Sequence, residues 1–413
     1  MHYLDKIMQI SIPYLKTTFS DDRLSEFQKK IADLYEIKNR DEVIKRFIDI
    51  YIRFVKEDYQ RRYKDINVKL VEFIEDKNSD VKIIWGDCLK ALKGMKSESI
   101  HLMVTSPPYY NARDYSQWTN LNEYLDDMRE IIRESYRVLD NHRVFVFNVG
   151  DIFDNDNLTT KSTWGKRRLP LGAYFIKIFE EEGFTFVDDF IWDKGEVQTE
   201  RHKSGNKPYP FYQYPANCYE HILIFHKHRL DRTRYPCPVC GTLKVNGNAQ
   251  SEIGLMSWEC KNPECFKRSK SNRGKRFSLK TIMTQSHQSE EHRIPDEFIK
   301  KWRRDIVRFS PVIKINSKGE NKLGHTAPFP DDIPEFAIRM FSYSGERVLD
   351  PFAGSFTSVI VAKKLNRIGI GIEINKKMFR DAIMKNIERK LQPDLFDKNI
   401  NISEFDFTEE TDE

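Results

Sequence analysis

The chain of 413 residues is poor in cysteine, with six, and holds no run of eighteen apolar residues. So few thiols over that length exclude a disulfide-built scaffold, and the missing apolar run excludes a membrane-spanning helix. The amino terminus lacks the basic, apolar and small-residue succession of a secretory signal. The expectation is a soluble cytoplasmic protein with reduced thiols. Internal repeats and long low-complexity tracts are missing too, which argues against a solenoid or a largely disordered chain. Charge of one sign is in no large overall excess, since 68 basic and 63 acidic residues leave +5. The balance is uneven along the chain. Between Lys227 and Arg276 twelve basic residues face four acidic ones, and the tail from Glu404 to Glu413 is acidic. A basic excess alone is usually a solvated face; beside other signals it points to a polyanion partner.

Residues 1–78 carry apolar positions at helical spacing, through Leu24, Phe27, Ile31, Leu34, Ile44, Phe47, Ile48 and Ile52. From Val81 the texture changes to short apolar strands alternating with amphipathic helices, the sign of a parallel α/β sheet. Strands are expected at 82–85, 102–105, 144–148, 186–192 and 222–226, with helices at 124–139 and 171–182. The alternation breaks near Leu230, where a basic, cysteine-containing, strand-poor segment begins. It resumes near Ile306, with a strand at 347–350, a helix at 357–365 and a strand at 367–373. The segment therefore splits one sheet rather than joining two. The expected organisation is a helical extension (1–78), a first catalytic part (79–229), an insertion (230–305), a second catalytic part (306–395) and an acidic tail (396–413).

Two of these strands end in loops with unusual chemistry. One closes on Ser106-Pro107-Pro108-Tyr109, the other on Asp350-Pro351-Phe352-Ala353-Gly354-Ser355. The first offers a small hydroxyl, proline carbonyls with no donor of their own, and an aromatic face. Standing alone, Ser-Pro-Pro-Tyr is more often a plain turn. The second offers an acid, a covering ring at Phe352, and a glycine that permits close backbone approach before a helix opens near Thr357. Glu373 ends the following strand, where a carboxylate can take both hydroxyls of a ribose. Strand, glycine turn, helix, strand and acid in this order suit a nucleoside cofactor. Ligands of open α/β sheets bind beyond the carboxyl ends of strands at the switch point, so the two loops are expected to be halves of one site.

Cys237, Cys240, Cys260 and Cys265 are separated by two, nineteen and four residues, and Gly241 follows the first pair. Four thiolates so spaced fit a closed tetrahedral Zn2+ site, structural because no ligand position is left for water. Cys88 and Cys218 are read as reduced structural thiols. Trp192 and Trp258 are expected in cores rather than stacked on bases. His287, His292 and His325 have no metal-ligand spacing and are read as surface or packing residues.

In combination these segments resemble the β-class DNA amino-methyltransferases of restriction-modification systems, in which the target-base loop precedes the cofactor loop. Gly86-Asp87-Cys88-Leu89 resembles the segment whose acid contacts the adenine of the cofactor. Arg137-Val138-Leu139 with residues 144–151, and Glu220 to Phe225, resemble structural segments of the family. His325-Thr326-Ala327-Pro328-Phe329-Pro330 resembles its last cofactor-contacting motif. The resemblance covers residues 81–182 and 323–390. It implies a Rossmann-like, S-adenosylmethionine-dependent methyltransferase sheet in circularly permuted motif order, with an antiparallel last strand and a target recognition region at the zinc-ribbon-like insertion. It further implies a catalytic loop of Ser106, Pro107, Pro108 and Tyr109. Cofactor contacts are implied for Asp87, Cys88, Thr326, Pro328, Phe329, Asp350, Pro351, Phe352, Gly354, Ser355, Thr357 and Glu373. One departure stands out: Phe356 takes the place of the second glycine in the family's Gly-Ser-Gly-Thr loop.

The substrate so implied is double-stranded DNA, and the setting admits a cognate restriction endonuclease as partner. A base inside a duplex must be flipped out to present its amine. Serine at the head of the target loop goes with cytosine N4 in the family and aspartate with adenine N6, so cytosine N4 is expected and adenine N6 is the alternative. There is no Pro-Cys nucleophile loop of the kind carbon-5 methylation needs, Pro236-Cys237 being part of the four-cysteine set, which argues against that chemistry. An alternative from another class is a zinc-ribbon nucleic-acid-binding protein with a cofactor site decayed at Phe356. A third keeps the enzyme and makes RNA its substrate.

Overall fold

The computed structural model describes residues 2–9, 21–62, 66–110, 118–153, 168–195, 218–228, 235–250, 256–265, 276–278, 281, 292–312, 330–391 and 401–407. In chain order the strands are β1 (Val81–Trp85), β2 (Ile100–Thr105), β3 (Leu139–Val149), β4 (Ile152–Phe153), β5 (Arg168–Leu169), β6 (Phe184–Asp193) and β7 (Tyr219–Lys227). They continue with β8 (Val245–Gln250), β9 (Met256–Cys260), β10 (Arg276–Ser278), β11 (Ile306–Arg308), β12 (Arg347–Asp350), β13 (Ile368–Glu373) and β14 (Ile402–Asp406). Two compact units divide the chain: residues 1–64 with 227–293, and residues 65–226 with 294–413.

The larger unit is built on a nine-stranded sheet of order β11-β6-β7-β3-β2-β12-β13-β1-β14. Every residue of β1 is buried, as expected of a strand covered on both faces. Even Lys82 is inside, its ammonium donating to the Phe73 carbonyl at 2.7 Å. Helices Leu121–Val138 and Leu171–Glu181 cover one face through Tyr124, Met128, Phe175 and Phe179. Helices Asp332–Phe341 and Thr357–Lys364 cover the other, through Ile333, Phe336, Val361 and Ala362. The expected sheet strands are all present, and β7 runs antiparallel to β3 with Val144 opposite His226. Between β2 and β1 lie β12 and β13, both from the carboxyl-terminal half. The switch point thus falls where β2 and β12 pair in parallel, Leu102 beside Val348 and Met103 beside Leu349.

The unit boundaries differ from those expected at 78, 229 and 305. Helix Val68–Glu75 belongs with the sheet, where Leu70 and Ile74 join its core. So does the segment after Ile294, where Trp302 stacks on Phe336 with ring centroids 4.1 Å apart. The acidic tail also contains β14, which extends the sheet beside β1. Its acids are neutralised there: Trp85 Nε1 donates to Glu404 at 2.8 Å, Arg380 holds the same carboxylate, and Lys376 pairs with Asp406.

In the smaller unit, helices Asp21–Ile31 and Arg40–Arg62 bury Leu24, Phe27, Ile31, Phe47 and Phe54. The second helix turns Val43 inward, and Ile44 and Ile48 are only half-buried. The cysteine segment is not strand-poor: β8, β9 and β10 form an antiparallel sheet of order β10-β9-β8. Its strands escape a periodicity search because they are short and, in β8, read Val-Asn-Gly-Asn-Ala-Gln.

Candidate active site

At the carboxyl edge of the sheet four strand ends lie side by side, those of β2, β12, β13 and β1. Asp350 ends β12 and is almost wholly buried, yet its carboxylate is fully engaged. Oδ1 accepts from the Thr105 hydroxyl at 2.5 Å and from the Phe352 N–H at 3.0 Å, and Oδ2 accepts from the Ser358 hydroxyl. The acid therefore ties the last residue of β2 to the loop and helix that follow β12. Burial raises its pKa to about 6 against these donors.

The loop after β12 turns at Gly354, whose φ of 50° is left-handed. Phe356 is left-handed as well, at φ 61° and ψ 28°, and caps helix Thr357–Lys364. Its ring is completely buried against Trp85, and it lies over Gly371, where a Cβ would stand 2.5 Å from Phe356 Cε1. The missing glycine of the loop is thus compensated by a glycine in β13. The turn keeps a left-handed residue, and the ring goes inward rather than into the loop. Pro351, Ser355 and Thr357 are buried and Phe352 is half-buried. Ser355 and Thr357 join hydroxyls at 3.0 Å, and the Ser355 carbonyl accepts from Asn386 Nδ2 at 3.0 Å.

Glu373 ends β13 with its carboxylate buried, accepting from the Asn375 N–H at 3.0 Å. Burial raises its pKa, opposed by backbone donors that include Gly354 of the neighbouring loop. The Glu373 carbonyl accepts from Gly86 N–H at 3.0 Å, which brings the end of β1 alongside. There Asp87 is exposed and caps helix Cys88–Gly94, accepting from Lys90 N–H at 2.8 Å, while Cys88 is buried. Thr326, Pro328 and Phe329 lie outside the described residues, as do His325 and His287.

Beyond β2, Ser106 is half-buried, Pro107 buried, and Pro108 and Tyr109 half-buried. Tyr124 donates its hydroxyl to the Pro108 carbonyl at 3.0 Å, and the Tyr109 hydroxyl accepts from Gly150 N–H at 3.0 Å. Ser106 and Glu220 also act on the Tyr109 phenol; burial, and then the Glu220 charge, raises its pKa well above the ordinary value. One residue past the Phe147 that pairs with Thr105 is Asn148, whose amide nitrogen donates to the His221 carbonyl at 3.0 Å and whose Oδ1 is buried with no partner among the described residues.

Several of these residues were not singled out in the sequence: Thr105, Asn148, Gly150, Glu220, and His221, which sits between Asp189 at 2.9 Å and Asp151 at 3.8 Å. The one signal available was a charged pair, Glu220-His221, heading an apolar run. Trp192 and Trp258 are core residues as expected, 3% and 4% exposed. In the smaller unit the four sulfurs of Cys237, Cys240, Cys260 and Cys265 all lie within 4.8 Å of one another, with Cys240 and Cys260 at 3.7 Å. A tetrahedron of sulfurs about 2.3 Å from a central Zn2+ has edges of about 3.8 Å, so the set fits that ion. It is far from the disulfide length of about 2.05 Å.

Comparison with known proteins bears on the family and the fold. The Type II beta methyltransferase M.BslI of Bacillus sp. (strain NEB-606) is 38% identical over 353 residues, 84% of this chain and 32% of that protein. The chain thus spans about a third of that relative's length. The Type II methyltransferase M.MjaI of Methanocaldococcus jannaschii is 27% identical over 340 residues, 73% of this chain and 90% of its own. A putative DNA modification methylase of Thermus thermophilus, solved in complex with S-adenosyl-L-methionine, shares the fold with a TM-score of 0.51 at 22% identity, over 79% of this chain and 98% of that one. The DNA methylase family of N6/N4 type matches residues 100–385, more than half of the chain, and the protein belongs to that family.

Proposed function

We propose that this chain transfers a methyl group from S-adenosyl-L-methionine to the exocyclic N4 amine of a cytosine flipped out of double-stranded DNA, as the modification enzyme of a restriction-modification system. The observation that carries the reading is the Asp350 tie between the end of β2 and the loop after β12, which sets the target loop and the cofactor loop at adjacent strand ends. The cofactor supplies a methyl sulfonium. Glu373 is suited to a ribose and Asp87, exposed at the rim, to an adenine amine, with the turn at Gly354 beside them. The amine's lone pair is delocalised into the base, so the site must draw its hydrogens into acceptors. Ser106 Oγ and the Pro107 carbonyl take that role, because Tyr124 already occupies the Pro108 carbonyl. Tyr109, fixed at its hydroxyl by Gly150, offers a held ring on which a flipped base can stack. Attack is direct and in line, with acceleration from positioning and from hydrogen bonds that strengthen as charge develops.

The cysteine module is assigned a structural Zn2+ and, with the basic residues between 227 and 276, target recognition through phosphate and base-edge contacts. The motif order is read as circularly permuted, residues 1–64 as a helical extension, and a cognate endonuclease as the partner. The cytosine choice rests on Ser106 at the head of the target loop. Adenine N6 remains the second reading, because the same acceptors serve either amine. Two measurements test the assignment: calorimetry should show S-adenosyl-L-methionine binding that Glu373→Ala weakens at least about ten-fold, the equivalent of one charge-assisted hydrogen bond. Methyl transfer to duplex DNA should exceed that to RNA. A protein that binds no S-adenosyl-L-methionine would instead be a zinc-ribbon nucleic-acid binder.

A further inference from the structure

The peptide Ser106-Pro107-Pro108 has little backbone freedom of its own. The two rings lock φ at Pro107 and at Pro108. Ser106 and Pro107 each precede a proline, which confines their ψ to the extended region, and planarity fixes the peptide bonds between them. From Ser106 toward Tyr109, the first backbone torsion that no proline ring constrains is ψ of Pro108. That torsion sets how the Pro107 carbonyl and the Tyr109 ring are oriented to one another, and it turns together with the Pro108 carbonyl.

Tyr124 holds that carbonyl, its hydroxyl donating to the Pro108 oxygen at 3.0 Å. A buried phenol needs an acceptor wherever it lies; here the acceptor is the backbone of the target loop. The donor itself is immobilised. Tyr124 is completely buried, and its ring is enclosed by Trp118, Tyr110 and Phe175, with centroids 4.8, 5.8 and 6.0 Å away. Trp118 is anchored in turn, its Nε1 donating to Asp127 at 2.8 Å. Tyr124 stands in the first turn of helix Leu121–Val138, where Asn120 Oδ1 accepts from the Glu123 N–H at 3.0 Å and the Glu123 carboxylate accepts from the Thr119 N–H at 2.8 Å. Reciprocal capping of this kind fixes where a helix begins. On the far side of the torsion, the Tyr109 hydroxyl takes the Gly150 N–H at 3.0 Å. The loop is thus held on both sides of the Pro108 ψ, by a capped helix at the carbonyl and by the residue after β3 at the aromatic ring.

We infer that Tyr124 is a positioning residue of the methyl-transfer site, which through the Pro108 carbonyl fixes the angle between the acceptor for the target amine and the ring on which the base stacks. This rests on the methyltransferase reading above. A base must meet the acceptor in its plane and the ring on its face at once. Freedom in that angle lowers the fraction of bound bases aligned for in-line attack rather than the affinity.

The test is steady-state kinetics of the full chain with labelled S-adenosyl-L-methionine and DNA that the wild-type protein methylates. Tyr124→Phe removes one oxygen and keeps the ring in its cage. It should lower kcat at least about ten-fold, the rate equivalent of one lost hydrogen bond, with KM for both substrates within about two-fold. A loss of stability alone is controlled by Met128→Ala, which empties a buried site one turn further along the same helix and leaves the hydroxyl in place. Assayed well below its melting temperature, that variant should keep its kcat. An unchanged kcat in Tyr124→Phe, a loss that appears in KM instead, or an equal kcat loss in Met128→Ala would overturn the inference. If Tyr124→Phe fails to fold, Pro108→Ala decides: it retains the Tyr124 hydroxyl and frees the adjoining φ, and full kcat there would show that stiffness of the loop is immaterial. A wild-type protein that methylates no DNA sinks the functional reading and this inference with it, whereas an active wild type with an indifferent Tyr124→Phe sinks only the role of Tyr124.

Discussion

Burial outweighs three hydrogen-bond donors at Asp350 and holds its pKa near 6, above the value of about 4 for an exposed aspartate. The folded state thus binds the proton more tightly than the unfolded chain, and stability falls as pH rises from about 4 through 6. Asp350→Asn keeps the shape and removes the charge. Its melting temperature relative to wild type should rise across that window and level off above it, and a difference independent of pH would contradict the buried-charge account. Phe356 shows a different balance. Its left-handed backbone costs roughly 1 kcal/mol, whereas emptying a buried phenylalanine site costs about 3–5 kcal/mol. Phe356→Gly should therefore destabilise the protein by about 2–4 kcal/mol in urea unfolding, although it restores the glycine of related loops. In the sequence this residue looked like a defect. The glycine that accommodates it, Gly371, is in another strand, and only the packing of β13 on the loop brings the two together.

At the scale of elements, the strands carrying the two loops were legible because strands buried on both faces read as unbroken apolar runs. β14 was not, because its acids are neutralised by Arg380, Lys376 and Trp85, which are remote in sequence. The His221 triad was hidden for the same reason: its partners Asp151 and Asp189 come from the end of β3 and from β6. Burial works against the imidazolium there, but the two carboxylates prevail and raise the His221 pKa to about 9. A raised histidine pKa contributes stability that is complete below about 6.5 and is lost as pH climbs through 9. The stability difference between wild type and His221→Asn should accordingly be largest near pH 6 and shrink toward pH 10. A gap that widens with pH would show that the histidine is neutral in the fold.

For the whole molecule, the sequence carried the α/β class and the four-cysteine cluster, since both rest on local patterns. The first and last boundaries of the two units shifted by a dozen residues or so, because helix Val68–Glu75 and Trp302 join the sheet through contacts that no local pattern displays. If the cysteines hold a structural ion, the purified protein should contain one zinc per chain by elemental analysis, released by a mercurial reagent. Cys260→Ser should lower that content and loosen residues 227–293 in hydrogen exchange while leaving the protection of β2 and β12 intact. Protein free of metal yet equally protected in the cysteine segment would contradict the assignment.

The central claim is methyl transfer to a base amine at the paired ends of β2 and β12. It is tested most directly by incubating the protein with methyl-labelled S-adenosyl-L-methionine and mixed-sequence duplex DNA, digesting the DNA to nucleosides and identifying the labelled one. Label in N4-methylcytosine is the predicted result. Label in N6-methyladenine would contradict the choice of base while keeping the site, and label in no nucleoside, over DNA rich in different sequences, would contradict the account itself.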